Sequence, residues 1–152
     1  MTDQLVLSAG RERDSDRLAA VEACREVIHR SFALADAGRR AEIADLFVAG
    51  GVQSIEGETA RGQEEIRALF AARDKAGRKS VHAVTTMTVD VSSGSEIRAR
   101  SVVLLYLLSD ADPMTPNALT SVDDLLVRDG DVWRLLNRVT SVLSGRGLTV
   151  LA

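Results

Sequence analysis

The chain is short of aromatics and cysteine, and each shortage removes a class of function. Aromatic side chains make up 3% of its 152 residues, too few to form stacking platforms along single-stranded nucleic acid. The formal net charge of −3 leaves no overall basic field to attract nucleic acid or an anionic membrane. The single cysteine, Cys24, excludes an internal disulfide framework and a cysteine-rich metal site. It falls on the apolar stripe of a helix, which makes it a small core residue rather than a nucleophile.

The longest apolar run, Val102 to Leu108, is too short to span a bilayer. The opening MTDQLVLSAGRERDSD lacks the apolar core of a signal peptide. A reducing cytoplasm is therefore the expected setting, with neither nucleic acid nor membrane as partner. There is no Gly-rich phosphate loop, no HExxH, no GxSxG elbow and no carboxylate cluster at metal spacing. No cofactor and no metal are expected, and Asp123-Asp124 reads as a solvated strand edge.

What is present is ordinary globular material, 45% hydrophobic and 27% charged, in a length that fits one domain. Residues 1–14 read as a flexible leader, 15–145 as a single domain and 146–152 as a tail. Ser15 and Asp16 can cap a helix with apolar positions Leu18, Val21, Cys24, Ile28, Phe32 and Ala35, spaced three or four apart. The pattern predicts that it runs to about Ala37 and stops at Gly38. A short second helix is expected from Arg39 to Phe47, broken by Gly50-Gly51, with VQSIEG as a short strand. Gly57 and Gly62 flank a possible edge strand. QEEIRALFAARDKA then forms a third helix, acidic at its start and basic at its end as the macrodipole favours.

From Ser80 the period changes. Residues 80–91, 96–109, 117–128 and 131–143 read as four long strands, the last two joined by the tight turn RDGD. Helix, helix, strand, helix and an antiparallel meander make an α+β fold. Its expected form is a cone-shaped barrel in which a curved, mostly antiparallel mixed sheet wraps three N-terminal helices around a central cavity.

Two residues in this frame carry chemistry. Asp36 follows Phe32 by four residues and so shares the core-facing side of its helix, where a carboxylate is costly unless paired. His82, one of two histidines, opens an alternating strand and shares a face with Val84 and Thr86, while Val81, Ala83 and Met87 take the other. A carboxylate that reaches such an imidazole makes it a general base near neutral pH. A cap or surface aspartate is the simpler alternative.

LADAGRRAEIADLF, IEGETARGQEEIRALF, VHAVTT and RDGDVWRLLNRV, in this order, resemble the SnoaL-like group of the nuclear transport factor 2-like superfamily over about residues 17 to 143. That group includes scytalone dehydratase, bile-acid dehydratase and hexachlorocyclohexane dehydrochlorinase. The resemblance implies that Asp36 and His82 form a catalytic dyad, in which His82 takes a substrate proton and Asp36 holds its tautomer. The sequence also departs from the group. Ser31 stands where those lyases place a Lys or Tyr, and Gln53, Ser54 and Ile55 occupy a strand that carries a tyrosine in scytalone dehydratase.

Candidates for substrate contact are Ser31, Phe32, Ile55, Phe70, Tyr106, Asn137 and Arg138, and Tyr106 could also donate its hydroxyl in place of the missing acid. His29 could line the far wall of the cavity, and Trp133 is expected in the core. An aliphatic lining of Ile28, Phe32, Phe47, Ile55, Phe70, Val84, Val102, Leu104 and Leu136 suits a hydrophobic, cyclic small molecule of polyketide or terpenoid type. The implied activity is dehydration or other elimination, isomerisation or cyclisation without a cofactor. The alternative is a non-catalytic ligand-binding or assembly protein, such as the small subunit of a ring-hydroxylating dioxygenase. Val103, Leu105 and Leu107 would lie on an outer sheet face that drives a homodimer or homotrimer.

Overall fold

The computed structural model describes residues 2–108 and 111–145, without the side chains of residues 2–9. The expected leader and tail fare differently: helix α1 already begins at Thr2 and runs to Asp36, whereas the tail at 146–152 lies outside the described residues. No proline interrupts residues 2–14 and a lone Gly10 costs only about 1 kcal/mol in a helix, so the helix continues upstream of the Ser15–Asp16 cap that the pattern suggested. Cys24, Ile28, Ser31 and Ala35 form its buried stripe, while Leu18 is exposed.

The helix ends as expected at Gly38, whose φ of 71° is left-handed. Gly38 N–H donates to Ala35 O at 3.1 Å and Arg39 N–H to Leu34 O at 2.8 Å, the paired bonds of a Schellman motif. Arg40–Leu46 forms a 3₁₀ turn rather than an α-helix. Strand β1, Phe47–Ile55, starts earlier than expected and runs through Gly50-Gly51. A Cβ on Gly51 would lie 2.8 Å from the Phe47 ring, so the glycine permits a close approach where the pairing register of β1 shifts.

Strand β2, Glu58–Arg61, is followed by helix α2, Gly62–Lys75, and then by β3, Ser80–Ser93; β4, Glu96–Leu107; β5, Ala118–Asp129; and β6, Val132–Gly145. The strand order is β2-β1-β6-β5-β4-β3. All pairs are antiparallel except β1 with β6. The six-stranded mixed sheet is not closed. With the three helices it makes a cone-like α+β fold, whose core joins Ile28, Phe47, Ile66, Ile97, Leu126 and Leu135, with Trp133 packed against it as expected.

Two bulges set which side chains face the helices. In β3, Val84 pairs with Val103 but Thr86 with Val102, leaving Thr85 as the extra residue, its Oγ1 donating to Val102 O at 3.1 Å. One inserted residue reverses the alternation. His82 and Val84 therefore share a face with Met87, not with Thr86, and Met87, Val89 and Val91 pack on the core. In β6, Leu136 is the extra residue between the pairs Leu126–Leu135 and Leu125–Asn137, so Leu135 and Arg138 both point inward.

Strand β4 has the opposite orientation to that expected. Val103, Leu105 and Leu107 are buried on the inner face, and Val102, Leu104 and Tyr106 lie on the outer one, half-buried. Among the described residues, no helix is long and apolar enough to cross a membrane.

Candidate active site

Asp36 is the last residue of α1. A negative charge at a helix C-terminus opposes the macrodipole, so this placement needs compensation from elsewhere in the fold. It comes from the start of β3. Asp36 Oδ1 lies 2.6 Å from His82 Nδ1, Oδ2 accepts the His82 backbone N–H at 3.0 Å, and Oδ1 also accepts the Ser80 hydroxyl at 3.1 Å. Burial raises the Asp36 carboxyl, but the side-chain and backbone bonds from His82, the charge of that ring and the Ser80 hydroxyl outweigh it and hold the carboxyl below its usual range.

An ionised carboxylate only accepts, so Nδ1 is the donor in this contact and Nε2 is the ring nitrogen left for another partner. The imidazole stacks on Phe32, with centroids 5.3 Å apart and planes inclined by 24°. The side chains of His82 and Asp36 are 19% and 26% exposed, dry enough to strengthen the pair and open enough to exchange protons.

His82 lines a cavity of about 120 Å³. Of the expected contacts, Ser31, Phe32, Ile55, Phe70 and Arg138 also line it. Ile28 and Phe47 belong instead to the closed core. Tyr106, Val102 and Leu104 are turned away by the phase of β4, and Val84 and Leu136 are not among the lining residues. Asn137 sits one residue past the Leu136 bulge and lies in an outer groove with Arg100, Asp123 and Leu125. His29 is exposed.

Arg138 forms a second polar centre. Its Nε and Nη2 donate to the two carboxylate oxygens of Asp124 at 2.6 and 2.9 Å, and Nη1 donates to Ser31 Oγ at 2.7 Å. The Ser31 hydroxyl in turn donates to Ile28 O at 2.6 Å, so it is tied in place. The guanidinium carbon lies 5.5 Å from the Phe32 ring centroid, within cation–π range. Asp124 is thus the buried partner of Arg138 and not part of a solvated edge; Asp123 faces outward, paired with Arg100 at 2.8 Å.

Several lining residues were not anticipated. Arg40 donates to Ser80 Oγ at 2.8 Å and pairs with Asp74 at 3.3 Å, which extends the dyad into a chain of Asp74, Arg40, Ser80, Asp36 and His82. Arg73 stands 5.9 Å from the Phe70 ring centroid; burial lowers its pKa, Glu58 opposes that and Arg40 reinforces it. Leu105, Leu107, Thr120, Val122 and Thr140 supply sheet wall, and Gln53 a buried carboxamide. The sequence signal for the β4 wall lay at the other end of that strand. Arg98 and Arg100 are exposed and β4 has no bulge, so period two places Val102, Leu104 and Tyr106 on their side.

Cys24 is fully buried, and burial, reinforced by Asp124 and opposed by Arg138 and Arg25, pushes its thiol up to about 12; it is inert, as expected for a core residue. Among the described residues no group of three or more His, Cys, Asp or Glu side chains could hold a metal ion. The arrangement is an imidazole held by a carboxylate at the wall of a largely apolar chamber, which the guanidinium groups of Arg40, Arg73 and Arg138 also line.

No curated protein matches the sequence. Among solved structures, an NTF2-like protein with a cystatin-like fold from Novosphingobium aromaticivorans superposes with a TM-score of 0.76 at 25% identity, covering 95% of this chain and 94% of that one. A scytalone dehydratase-like protein of the same organism has a TM-score of 0.73 at 19% identity, over 86% and 89% of the two chains. LinA has a TM-score of 0.74 at 20% identity, over 86% and 90%. With the SnoaL-like domain model matching residues 16–139, the chain belongs to the SnoaL-like family and has the NTF2-like fold.

Proposed function

We propose that the protein is a cofactor-independent enzyme that removes a proton from a carbon next to a carbonyl in a hydrophobic, cyclic small molecule. The observation that carries this reading is the 2.6 Å contact between Asp36 and His82 Nδ1 at the wall of an apolar cavity. His82 Nε2 takes the proton, and Asp36 fixes the tautomer and stabilises the imidazolium that forms. Arg138, held flat by Asp124 and Ser31, stabilises the negative charge that develops on the carbonyl oxygen. Loss of a leaving group from the adjacent carbon, or return of the proton at a second position, gives elimination or isomerisation. The structural neighbours described as scytalone dehydratase-like and as LinA support this reaction class.

The catalytic unit in this reading is residues 15–145. Self-association uses the outer stripe that contains Val102, Leu104 and Tyr106, and a single monomeric species in sedimentation at micromolar concentration would refute that part.

The dyad is testable without the natural substrate. Exchange of the acidic α-hydrogens of 2-tetralone in D₂O, followed by NMR, should be accelerated by the wild type. His82→Ala and Asp36→Asn should each slow it by about 10²- to 10⁴-fold while keeping the wild-type circular dichroism. If His82→Ala exchanges the ketone as fast as wild type, His82 is not the base.

A further inference from the structure

Gln53 is fully buried on the inner face of β1 and lines the cavity. Its carboxamide is oriented by Nε2, which donates to Ser54 O at 3.2 Å. That leaves Oε1 on the other side, and among the described residues no donor reaches it. Its neighbour in register on β6 is Arg138, the strongest donor nearby, but three of that guanidinium's N–H groups are already directed at Asp124 and Ser31. A buried acceptor without a donor destabilises a fold. It is tolerated where something that comes and goes completes it. Ser101 Oγ is also buried and unpartnered, but it does not line the cavity.

We propose that Gln53 Oε1 is the acceptor for a hydroxyl group of the substrate, so that the cavity selects hydroxylated apolar molecules over their deoxygenated counterparts. This rests on the reading of the cavity as the substrate site. The partner has to be a donor, because Oε1 can only accept. It is neutral rather than an ammonium, because Arg40, Arg73 and Arg138 line the same chamber and would repel a cation. The rest of the wall is largely apolar, including Phe32, Ile43, Ile55, Phe70, Leu105 and Leu107, so the hydroxyl is carried on a hydrophobic body. A site with a buried polar group rejects the analogue that leaves it unpaired much more strongly than a purely apolar pocket discriminates shape.

Binding of two near-isosteric probes tests this independently of turnover. 2-Naphthol donates a hydrogen bond and 2-fluoronaphthalene does not. The ratio of their dissociation constants, measured by calorimetry on the full chain, should favour naphthol about tenfold more in wild type than in Gln53→Met. Gln53→Glu, which keeps an acceptor in place, should retain the preference. Gln53→Met removes the unpaired acceptor but also the Nε2 bond to Ser54 O, so its fold is checked by circular dichroism before the ratio is read.

An unchanged ratio overturns the proposal. If neither probe moves the ring resonances of His82 and Phe32, the cavity is not the ligand site. The underlying reading then falls, and this inference with it.

Discussion

The cavity has two polar centres built on opposite principles. The Asp36–His82 pair joins a helix end to a strand start and keeps a fifth to a quarter of each side chain exposed. The Asp124–Arg138 pair sits across two central strands, with side chains 0% and 5% exposed. In the first, the carboxylate holds the imidazole through Nδ1. In the second, the arginine stays charged at any physiological pH and the fold depends on its neutralisation. In the proposed reading the first centre carries the chemistry and the second a fixed electrostatic field, and Phe32 stands against both the His82 ring and the Arg138 guanidinium.

The sharpest way to break this comparison is to remove the acid from the buried pair. Asp124→Ala leaves a buried guanidinium without its counterion, and breaking such a pair costs about 3–5 kcal/mol. Denaturant unfolding should register a loss of that size, whereas Asp36→Asn should change stability far less. Equal losses would remove the distinction between the two centres.

Ser31→Ala deletes one acceptor of Arg138 and one hydrogen bond to Ile28 O. It should cost about 1–3 kcal/mol, with α-hydrogen exchange reduced less than in His82→Ala. Slowing as large as that of His82→Ala would place Ser31 in the catalytic machinery.

The smallest effect is a pH dependence. The Asp36 carboxyl is held below its ordinary value of 3.8, so its stabilising contribution is fully present above that value and is lost as pH falls through the folded value. The stability difference between wild type and Asp36→Asn should therefore favour wild type most above pH 4 and shrink below it. A difference that grows on acidification would contradict the direction of the shift.

Part of this site was legible in the sequence. Asp36 stands four residues after Phe32 and just before the Gly38 stop, and His82 opens an alternating strand; both signals are local. The phase of the long strands was harder. From Val102 to Leu107 both faces of β4 are apolar, so that stretch alone does not say which faces the helices. The assignment of Tyr106 to the pocket failed there, although Arg98 and Arg100 on the same strand pointed the other way. Asn137 was misplaced for a different reason: the Leu136 bulge shifts the alternation by one residue, and that shift is a property of the β5–β6 pairing.

By itself the sequence determined the helix stripe, its glycine stop, the acidic start and basic end of α2, and the strand ends of the meander to within about two residues. It could do so because capping, helical period and turn chemistry act between residues close in the chain. Only the tertiary structure decided that Asp36 meets His82 across 46 positions, that Asp124 and not Asp123 faces inward, and that Gln53 is buried with its oxygen unpaired. Those outcomes depend on strand register and bulge position, where an insertion of one residue exchanges the inside of a sheet for its outside.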